Sequence, residues 1–305
     1  IYNQPDVSLN ISYIPEPNFS NEVQGRFLNS TPKDEFKNMF DASDSEDSTN
    51  FYVLVSENQE DSFIDSVNFG TPTNDFDGND AIAFGNCFPL SYSLSYSIGD
   101  LPKVNTSYIC SNAVFDNLTG TSMQMPAINM TGGNNDNVGR CQFYLRQDLT
   151  TEALEKAPPI VNQTNAGSDV TLQNLQVGGQ EISGSHLVQS VNMNVSMPRV
   201  SAYGLGNDYA FGRKRQFPAK GTFAVSSQVS GFESGAMTGV LNSDELYQFD
   251  LTLEASGKSM VYRIEDAKLG SYNYSMDVNG RMNFDANFSF EVTQEKGLKL
   301  SGTYY

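Results

Sequence analysis

The sequence predicts an all-β protein, and three observations carry that prediction. Polar and apolar residues alternate strictly in several segments, most clearly at 91–100, SYSLSYSIGD, and a period of two gives a strand one wet and one buried face. The chain has 20 Phe and 15 Tyr but only 18 Lys and Arg, a composition that favours strands over helices. Turn dipeptides such as Gly99-Asp100 and Asn279-Gly280 follow the alternating segments.

The alternation places strands in order along the first part of the chain. A first strand at 7–14 ends at Pro15-Glu16-Pro17, because proline cannot continue a hydrogen-bonded ladder. Further strands are predicted at 51–56, 82–87, 90–97 and 103–110, and the last two form a hairpin.

Alternation is weak from about 112 to 183 and returns in the last third of the chain. Strands are predicted there at 189–197, 221–229, 245–255, 259–269, 271–278 and 282–292, with a last strand in the closing KLSGTYY. The Asn279-Gly280 turn predicts a second hairpin.

Two short helices are expected within this β-rich chain. In TPKDEFKNMF at 31–40, Thr31 can cap the helix, Pro32 occupies its first position, and Phe36, Met39 and Phe40 share a face. In TTEALEKAPP at 150–159, Thr150 can cap the helix and the two prolines end it.

The two hairpins indicate an internal duplication. LSYSLSYSIGDLPKVN at 90–105 and LGSYNYSMDVNGRMNF at 269–284 share a first Leu, Ser-Tyr pairs, a turn and a return strand. We therefore expect tandem β-sandwich or barrel units that join their neighbours into a ring. The first unit spans 1–115, a connector or insertion spans 116–183, and the second unit spans 184–305.

Composition restricts the class of function. The formal net charge is −18, which argues against a nucleic-acid binder because such proteins neutralise phosphates with basic residues. No stretch approaches the ~20 apolar residues of a membrane helix, and no signal peptide is visible. The first residue is Ile rather than Met, which predicts processing or truncation.

The cysteines and the glycosylation signals differ in what they indicate: the signals are typical of a secreted protein, whereas the few cysteines are not. Cys87, Cys110 and Cys141 are few and odd in number, and we interpret them as small buried apolar residues. Ten N-x-S/T signals would suit a secreted glycoprotein. However, a strand whose polar face consists of Asn, Ser and Thr contains such signals by chance. The signals lie at Asn10, Asn18, Asn29, Asn105, Asn117, Asn129, Asn162, Asn194, Asn273 and Asn287.

Neither catalytic nor cofactor-binding motifs are found, and the expectation is a protein that is not an enzyme and has no cofactor or metal. His186 is the only histidine, and no G-x-S-x-G elbow accompanies it. NDFDGND at 74–80 offers oxygen ligands for calcium, but its glycine spacing departs from the EF-hand loop and no glutamate closes it.

Charged and polar residues supply candidate interaction surfaces. A basic segment, Arg213, Lys214, Arg215 and Lys220, stands out in an acidic chain and could meet an acidic loop of a neighbouring copy, namely Asp41, Asp44, Glu46 and Asp47. If the assembly encloses a lumen, polar strand faces are candidates to line it. These candidates are Gln248, Asp250, Thr252, Glu254, Asn283, Asp285 and Asn287.

Several segments resemble the tail tube, or major tail, proteins of tailed bacteriophages. They are LVQSVNMNVSMPR at 187–199, RKRQFPAKGTFAV at 213–225, AKLGSYNYSMDVNGRMNFDANFSFEV at 267–292, the closing SGTYY, and in the first half DAIAFGNCFPLSYSLSYSIGDLPKVNTSYIC at 80–110. The resemblance covers most of the chain, while 112–183 matches nothing in the family's pattern.

The resemblance implies a structural virion protein that assembles into stacked rings around a negatively charged conduit for DNA. Family members with one domain form hexameric rings, and those with duplicated domains form trimeric, pseudo-hexameric rings. The implied partners are further copies of the chain, other tail proteins, and passing DNA without specific binding, but no membrane. The implied location is the phage tail, assembled in the host cytoplasm. The alternative is a secreted or cell-surface glycoprotein, such as an adhesin or fibre subunit.

Overall fold

The computed structural model confirms an all-β fold. It describes residues 7–16, 19–40, 48–56, 79–97, 100–118, 141–145, 170–177, 180–181, 186–202, 212–229, 245–255, 258–276 and 282–303. The first half contains β1 (Val7–Tyr13), α1 (Ser20–Gln24), β2 (Lys37–Asn38), β3 (Thr49–Ser56), β4 (Asn79–Ser97), β5 (Lys103–Cys110), β6 (Asn112–Leu118) and β7 (Cys141–Leu145). The second half contains β8 (Val170–Val177), β9 (Gln180–Glu181), β10 (His186–Ser196), β11 (Arg199–Ala202), β12 (Gly212–Arg215), β13 (Ala219–Val229), β14 (Leu246–Ala255), β15 (Lys258–Met276), β16 (Met282–Val292) and β17 (Leu298–Thr303).

Seven strands lie side by side in the order β1-β5-β4-β10-β13-β16-β15, and we call them the main sheet. Every neighbouring pair is antiparallel. Apolar side chains meet across all seven strands on one face, which we call the core face. One such row runs Tyr13, Val104, Leu94, Met193, Phe223, Phe288, Leu269. This row is what the strict alternation predicts once the strands pair in register.

Two 19-residue strands, β4 and β15, carry the chain out of the main sheet. The first part of β4 pairs with β3 and β6, and the first part of β15 pairs with β14 and β17. Each strand contains one non-glycine residue of positive φ near its middle, Asn86 at 52° and Asp266 at 53°, and Asn and Asp tolerate that region better than other residues. The two strands therefore have the same length and the same kind of irregularity near the middle, and each forms a hairpin with the strand that follows it, as a duplication predicts.

Strands β3 and β14, outside the main sheet, pack against its core face, so the fold is sandwich-like. Phe249 of β14 lies with its ring centroid 4.8 Å from that of Phe223 and 5.2 Å from that of Phe288. At the other end, the rings of Phe51 and Tyr108 are 4.7 Å apart. These side chains are all buried, and aromatic rings of this size supply most of the burial that holds two sheets together.

The helix predicted at 31–40 is wrong. Lys33 forms a bridge to Gly302, and β2 pairs with Lys299 and Leu300 of β17. The Met39 amide donates to the Leu298 carbonyl at 2.9 Å. The local helix signals lose because this segment satisfies its backbone groups against a strand far away in sequence. The helix predicted at 150–159 lies outside the described residues.

The described parts of 116–183 pair with strands of the flanking units, apart from β9, which pairs with β8. Residues 116–118 belong to β6, which pairs with β4, and β7 runs parallel to β3. Strand β8 pairs with β14 and β10. The three-part division of the chain stays a prediction. Among the described residues, no helix has the length and apolarity needed to cross a membrane.

Candidate functional site

The main sheet presents a broad polar face opposite its core face. One row of directly paired residues crosses all seven strands, and it consists of Ser12, Asn105, Ser93, Asn194, Thr222, Ser289 and Lys268. A neighbouring row contains Lys103, Ser95, Asn192, Ala224, Asn287 and Ser271. The face is therefore built almost entirely of hydroxyl and amide groups.

Side chains on this face bond to one another across strands. The Ser91 and Ser107 hydroxyls lie 2.5 Å apart, Ser12 Oγ donates to Asn105 Oδ1 at 2.5 Å, and Asn287 Nδ2 donates to Ser271 Oγ at 3.1 Å. Such cross-strand pairs stabilise a sheet modestly. They also hold the polar groups in place, so that the face forms an ordered surface.

The polar face is close to neutral. Among its described side chains, three are basic and two are acidic: Lys103, Lys220, Lys268, Asp285 and Glu291. Lys220 and Glu291 are cross-strand partners. The net charge of −18 that the whole chain carries is therefore not reflected in the described side chains of this face. A negatively charged lining, as the resemblance implies, does not describe this surface.

The lumen residues predicted on β14 need correction. Asp250 and Thr252 are buried, with exposed fractions of 3% and 7%. Asp250 forms a bidentate ion pair with Arg263 of β15, with both N–O distances at 2.7 Å, and the guanidinium lies 3.7 Å from the centroid of the Phe36 ring. This face of β14 is covered within the chain, so these two side chains do not line an open surface.

The other predicted lumen residues have separate outcomes. Gln248 is half-buried on β14, and Asp285 and Asn287 lie on the polar face of β16. The side chains of Glu254 and Asn283 lie outside the described residues. Most of the polar face was not predicted as a candidate surface, although the alternation of β4 and β10 already separated Ser and Asn from the apolar residues.

The basic segment is divided between the interior and the surface. Arg213 and Arg215 are buried, with exposed fractions of 2% and 8%, whereas Lys214 and Lys220 are exposed. Arg213 donates to Ser111 Oγ at 3.0 Å and lies over the Phe88 ring, and Arg215 donates to the Phe40 carbonyl.

Through these contacts the two arginines connect β12, and with it the β11–β12 pair, to residues of the first half of the chain. Their prediction as interface residues is corrected, because their charged groups point inward. The interface role of the two lysines stays a prediction. The acidic loop with Asp41, Asp44, Glu46 and Asp47 lies outside the described residues.

A buried carboxyl group lies where α1 meets the core. Glu22 is fully buried, and its Oε1 accepts hydrogen bonds from the hydroxyls of Tyr13 and Tyr92, each at 3.0 Å. The Tyr92 and Tyr262 hydroxyls are 3.1 Å apart. Within the described residues, Glu22 Oε2 has no hydrogen-bond partner. Burial raises the pKa of Glu22 to about 7, against the lowering effect of the tyrosine hydrogen bonds.

Several smaller predictions also have outcomes. Cys87 and Cys110 are free and buried, as predicted, and the side chain of Cys141 lies outside the described residues. The same holds for the side chain of His186. The described residues contain no cluster of His, Cys, Asp or Glu that could hold a metal ion. The candidate calcium segment at 74–80 is described only at its last two residues, which begin β4.

Five of the ten glycosylation signals lie within strands of the main sheet. In each, Asn and Ser are two residues apart and share the polar face, as for Asn194 and Ser196 on β10. The other four begin at Asn10, Asn105, Asn273 and Asn287. The strand period accounts for the spacing of these five signals.

Comparison with known proteins leaves the family open. Neither a protein-family model nor a curated protein sequence matches the chain. Among solved structures, the chain is similar to one chain of a structure titled "Virion of native gene transfer agent (GTA) particle", with 12% identity and a TM-score of 0.26. That match covers 43% of this chain and 96% of the other. A likeness at this level carries neither fold nor function over to this chain.

Proposed function

We propose that this chain is a structural virion protein whose copies assemble into the stacked rings of a bacteriophage tail tube. The observation that supports this most is the main sheet, which has one ordered hydroxyl and amide face and, at its two ends, strand segments with one described neighbour each, β1 and residues 269–276 of β15. A sheet of this kind can be extended by copies of itself until it closes. Closure would place one face of every copy towards a common lumen.

The polar face suits the lining of a conduit for DNA. Its hydroxyl and amide groups are wetted by water, and its three lysines per copy are too few and too scattered for strong phosphate binding. A near-neutral lining lets the polyanion pass without adhering. In this role the lining is near-neutral rather than negative, and the acidic groups elsewhere in the chain keep the assembly soluble.

The proposal includes the partners and the location. The chain associates with further copies of itself in trimeric, pseudo-hexameric or hexameric rings, and with other tail proteins. It contacts DNA without sequence preference, needs no cofactor and catalyses no reaction. It belongs to the virion and assembles in the cytoplasm of the bacterial host.

Electron microscopy tests this function directly. Negatively stained, purified protein at modest concentration is expected to show rings or tubes, and light scattering is expected to show mass growing with concentration. A persistent monomer across the concentration range would contradict self-assembly. The rotational symmetry of the rings also decides the copy number: three-fold symmetry fits a duplicated chain and six-fold symmetry a single unit.

The glycoprotein alternative is motivated by the ten glycosylation signals. Intact-mass spectrometry of the protein from its natural source separates the two functions. Unmodified mass agrees with a virion protein assembled in bacterial cytoplasm, and glycans at Asn10 or Asn194 would contradict the tube proposal because they would stand on the polar face.

A further inference from the structure

Among the residues that the structure describes, no strand pairs with the edge of β15 opposite β16 at residues 269–276, and we call this the free edge. Lys268 pairs with Leu246 of β14 on one side and with Ser289 of β16 on the other, so β14 and β16 lie on opposite edges of β15. Strand β14 begins at Leu246. Beyond Lys268, the edge opposite β16 therefore has no strand among the residues that the structure describes.

The matching segment of the first half has both edges paired. Residues 91–95 of β4 pair with β5, and residues 91–97 pair with β10 on the other side. Sequence and hairpin geometry relate this segment to 269–276 of β15, whose described pairing is with β16 alone. Strand β10 thus occupies one edge of β4 within the chain, whereas the corresponding edge of β15 has no strand beside it among the described residues.

Side chains at the free edge are unusually exposed. Tyr272 and Tyr274 are 48% and 41% exposed, although they stand opposite the buried Ala286 and Phe284 on the core face. In β4, Tyr92 and Tyr96 of the core face are buried. Two apolar rings left in water at an open strand edge mark a surface that association would cover.

The sequence of this edge contains neither of the residue types that usually block an exposed strand edge. Residues 269–276, LGSYNYSM, contain neither charge nor proline, whereas natural edges are usually blocked by lysine, proline or a covering loop. Strand β1 at the opposite end of the main sheet, VSLNISY, is equally uncharged, and its described pairing is with β5 alone. Both ends of the polar face carry Ser and Asn, so a second copy would continue the face without a change of chemistry.

We infer that the edge of β15 at residues 269–276 is the docking site for a strand of a second copy of this chain. The added strand occupies the position that β10 occupies beside β4, extends the polar face into the next copy and covers Tyr272 and Tyr274. This inference rests on the proposed self-assembly and names the surface that mediates it.

Amide hydrogen exchange on the full chain tests the inference without any substitution. The protein is compared at a dilution where it is monomeric and at a concentration where it assembles. The amides of 269–276 that point away from β16 are expected to exchange at least about tenfold more slowly after assembly. Residues 91–95 serve as the internal control, because both edges of that segment are already paired and its exchange should not change.

Substitution provides the second arm. Tyr272→Lys combined with Tyr274→Lys places two charges on the edge and is expected to abolish assembly in light scattering, while circular dichroism keeps the β signal. Val200→Lys is the matched control, because Val200 is 51% exposed on β11 and away from this edge. It should assemble as the unmodified chain does.

The outcomes separate this inference from the proposed function. Rings that form with 269–276 unprotected, or a folded double variant that still assembles, would overturn the docking site and leave the tube proposal standing. Protection of 269–276 in a small oligomer without rings would support the docking site and count against the tube. A chain that stays monomeric at every concentration would overturn both.

Discussion

The buried Glu22 makes the stability of this protein depend on pH in an unusual direction. Burial raises the pKa of its carboxyl from 4.5 to about 7 in the folded chain. One pKa unit corresponds to about 1.4 kcal/mol, so the folded state loses about 3 kcal/mol relative to the unfolded state as pH rises through this window. The sign follows because the unfolded chain releases the proton first. The stabilisation by the protonated carboxyl is complete below about pH 4.5 and is lost as pH rises through about 7.

Glu22→Gln removes this titration and keeps an acceptor oxygen for the hydroxyls of Tyr13 and Tyr92. The free energy of unfolding of the variant minus that of the unmodified chain is expected to rise by about 3 kcal/mol between pH 4.5 and pH 8. A difference in stability between the amide and the protonated carboxyl that does not depend on pH does not affect this change between pH 4.5 and pH 8. Urea unfolding at several pH values supplies the measurement, followed by circular dichroism because the chain has no Trp.

Two further variants make the assay specific. Glu295→Gln, at an exposed turn, controls for the loss of one negative charge from the chain. Tyr13→Phe removes one donor to the carboxylate, and because that hydrogen bond lowers the pKa of Glu22, the pH midpoint should move upward. A difference between Glu22→Gln and the unmodified chain that stays constant with pH would refute the reasoning.

Three other predictions concern the ion pair, the basic segment and the polar face. Asp250→Asn should cost about 2 kcal/mol in urea unfolding, below the range of about 3–5 kcal/mol for a fully buried pair, because Arg263 is partly exposed. Arg213→Glu should cost at least about 3 kcal/mol or prevent folding, because it buries an unpaired charge; a folded variant of unchanged stability would contradict that. Asn194→Lys with Thr222→Lys should create DNA binding in a filter assay, whose dependence of log K on log salt steepens by about 0.9 for each additional phosphate that the lysines neutralise. Undetectable binding at low salt would count against this face as one that DNA can reach.

Local sequence pattern was sufficient for most of the strands. The hairpin of β4 and β5, the strand β14 and the hairpin of β15 and β16 fall within a few residues of their predicted bounds. Each carries its own period of two and its own turn signal, which need no knowledge of distant residues. The sequence predicts two strands at 82–87 and 90–97, whereas the structure has one continuous strand, β4. A bulge and the positive φ of Asn86 interrupt its alternation between these two segments.

The predictions that were wrong failed because of pairing or packing with residues far apart in sequence. Residues 31–40 carry good helix signals, but Lys37 and Asn38 pair with β17 instead. Glu22 gave no sign of being buried, because no local pattern shows that three tyrosine rings converge on it. A cluster of basic letters likewise predicted a surface, while Arg213 and Arg215 are in fact enclosed by residues from other parts of the chain.

By itself the sequence determined that the chain is all-β, where most strands run and which side chains of each strand are polar, because the period of two is a local property. Only the tertiary structure decided which polar face stays open: the Ser and Asn face of the main sheet is exposed, while Asp250 and Thr252 are covered. It also showed that the edge of β15 at 269–276 has no partner strand opposite β16 among the described residues. Both depend on what packs beside or over a strand, and that is set by contacts between residues far apart in sequence.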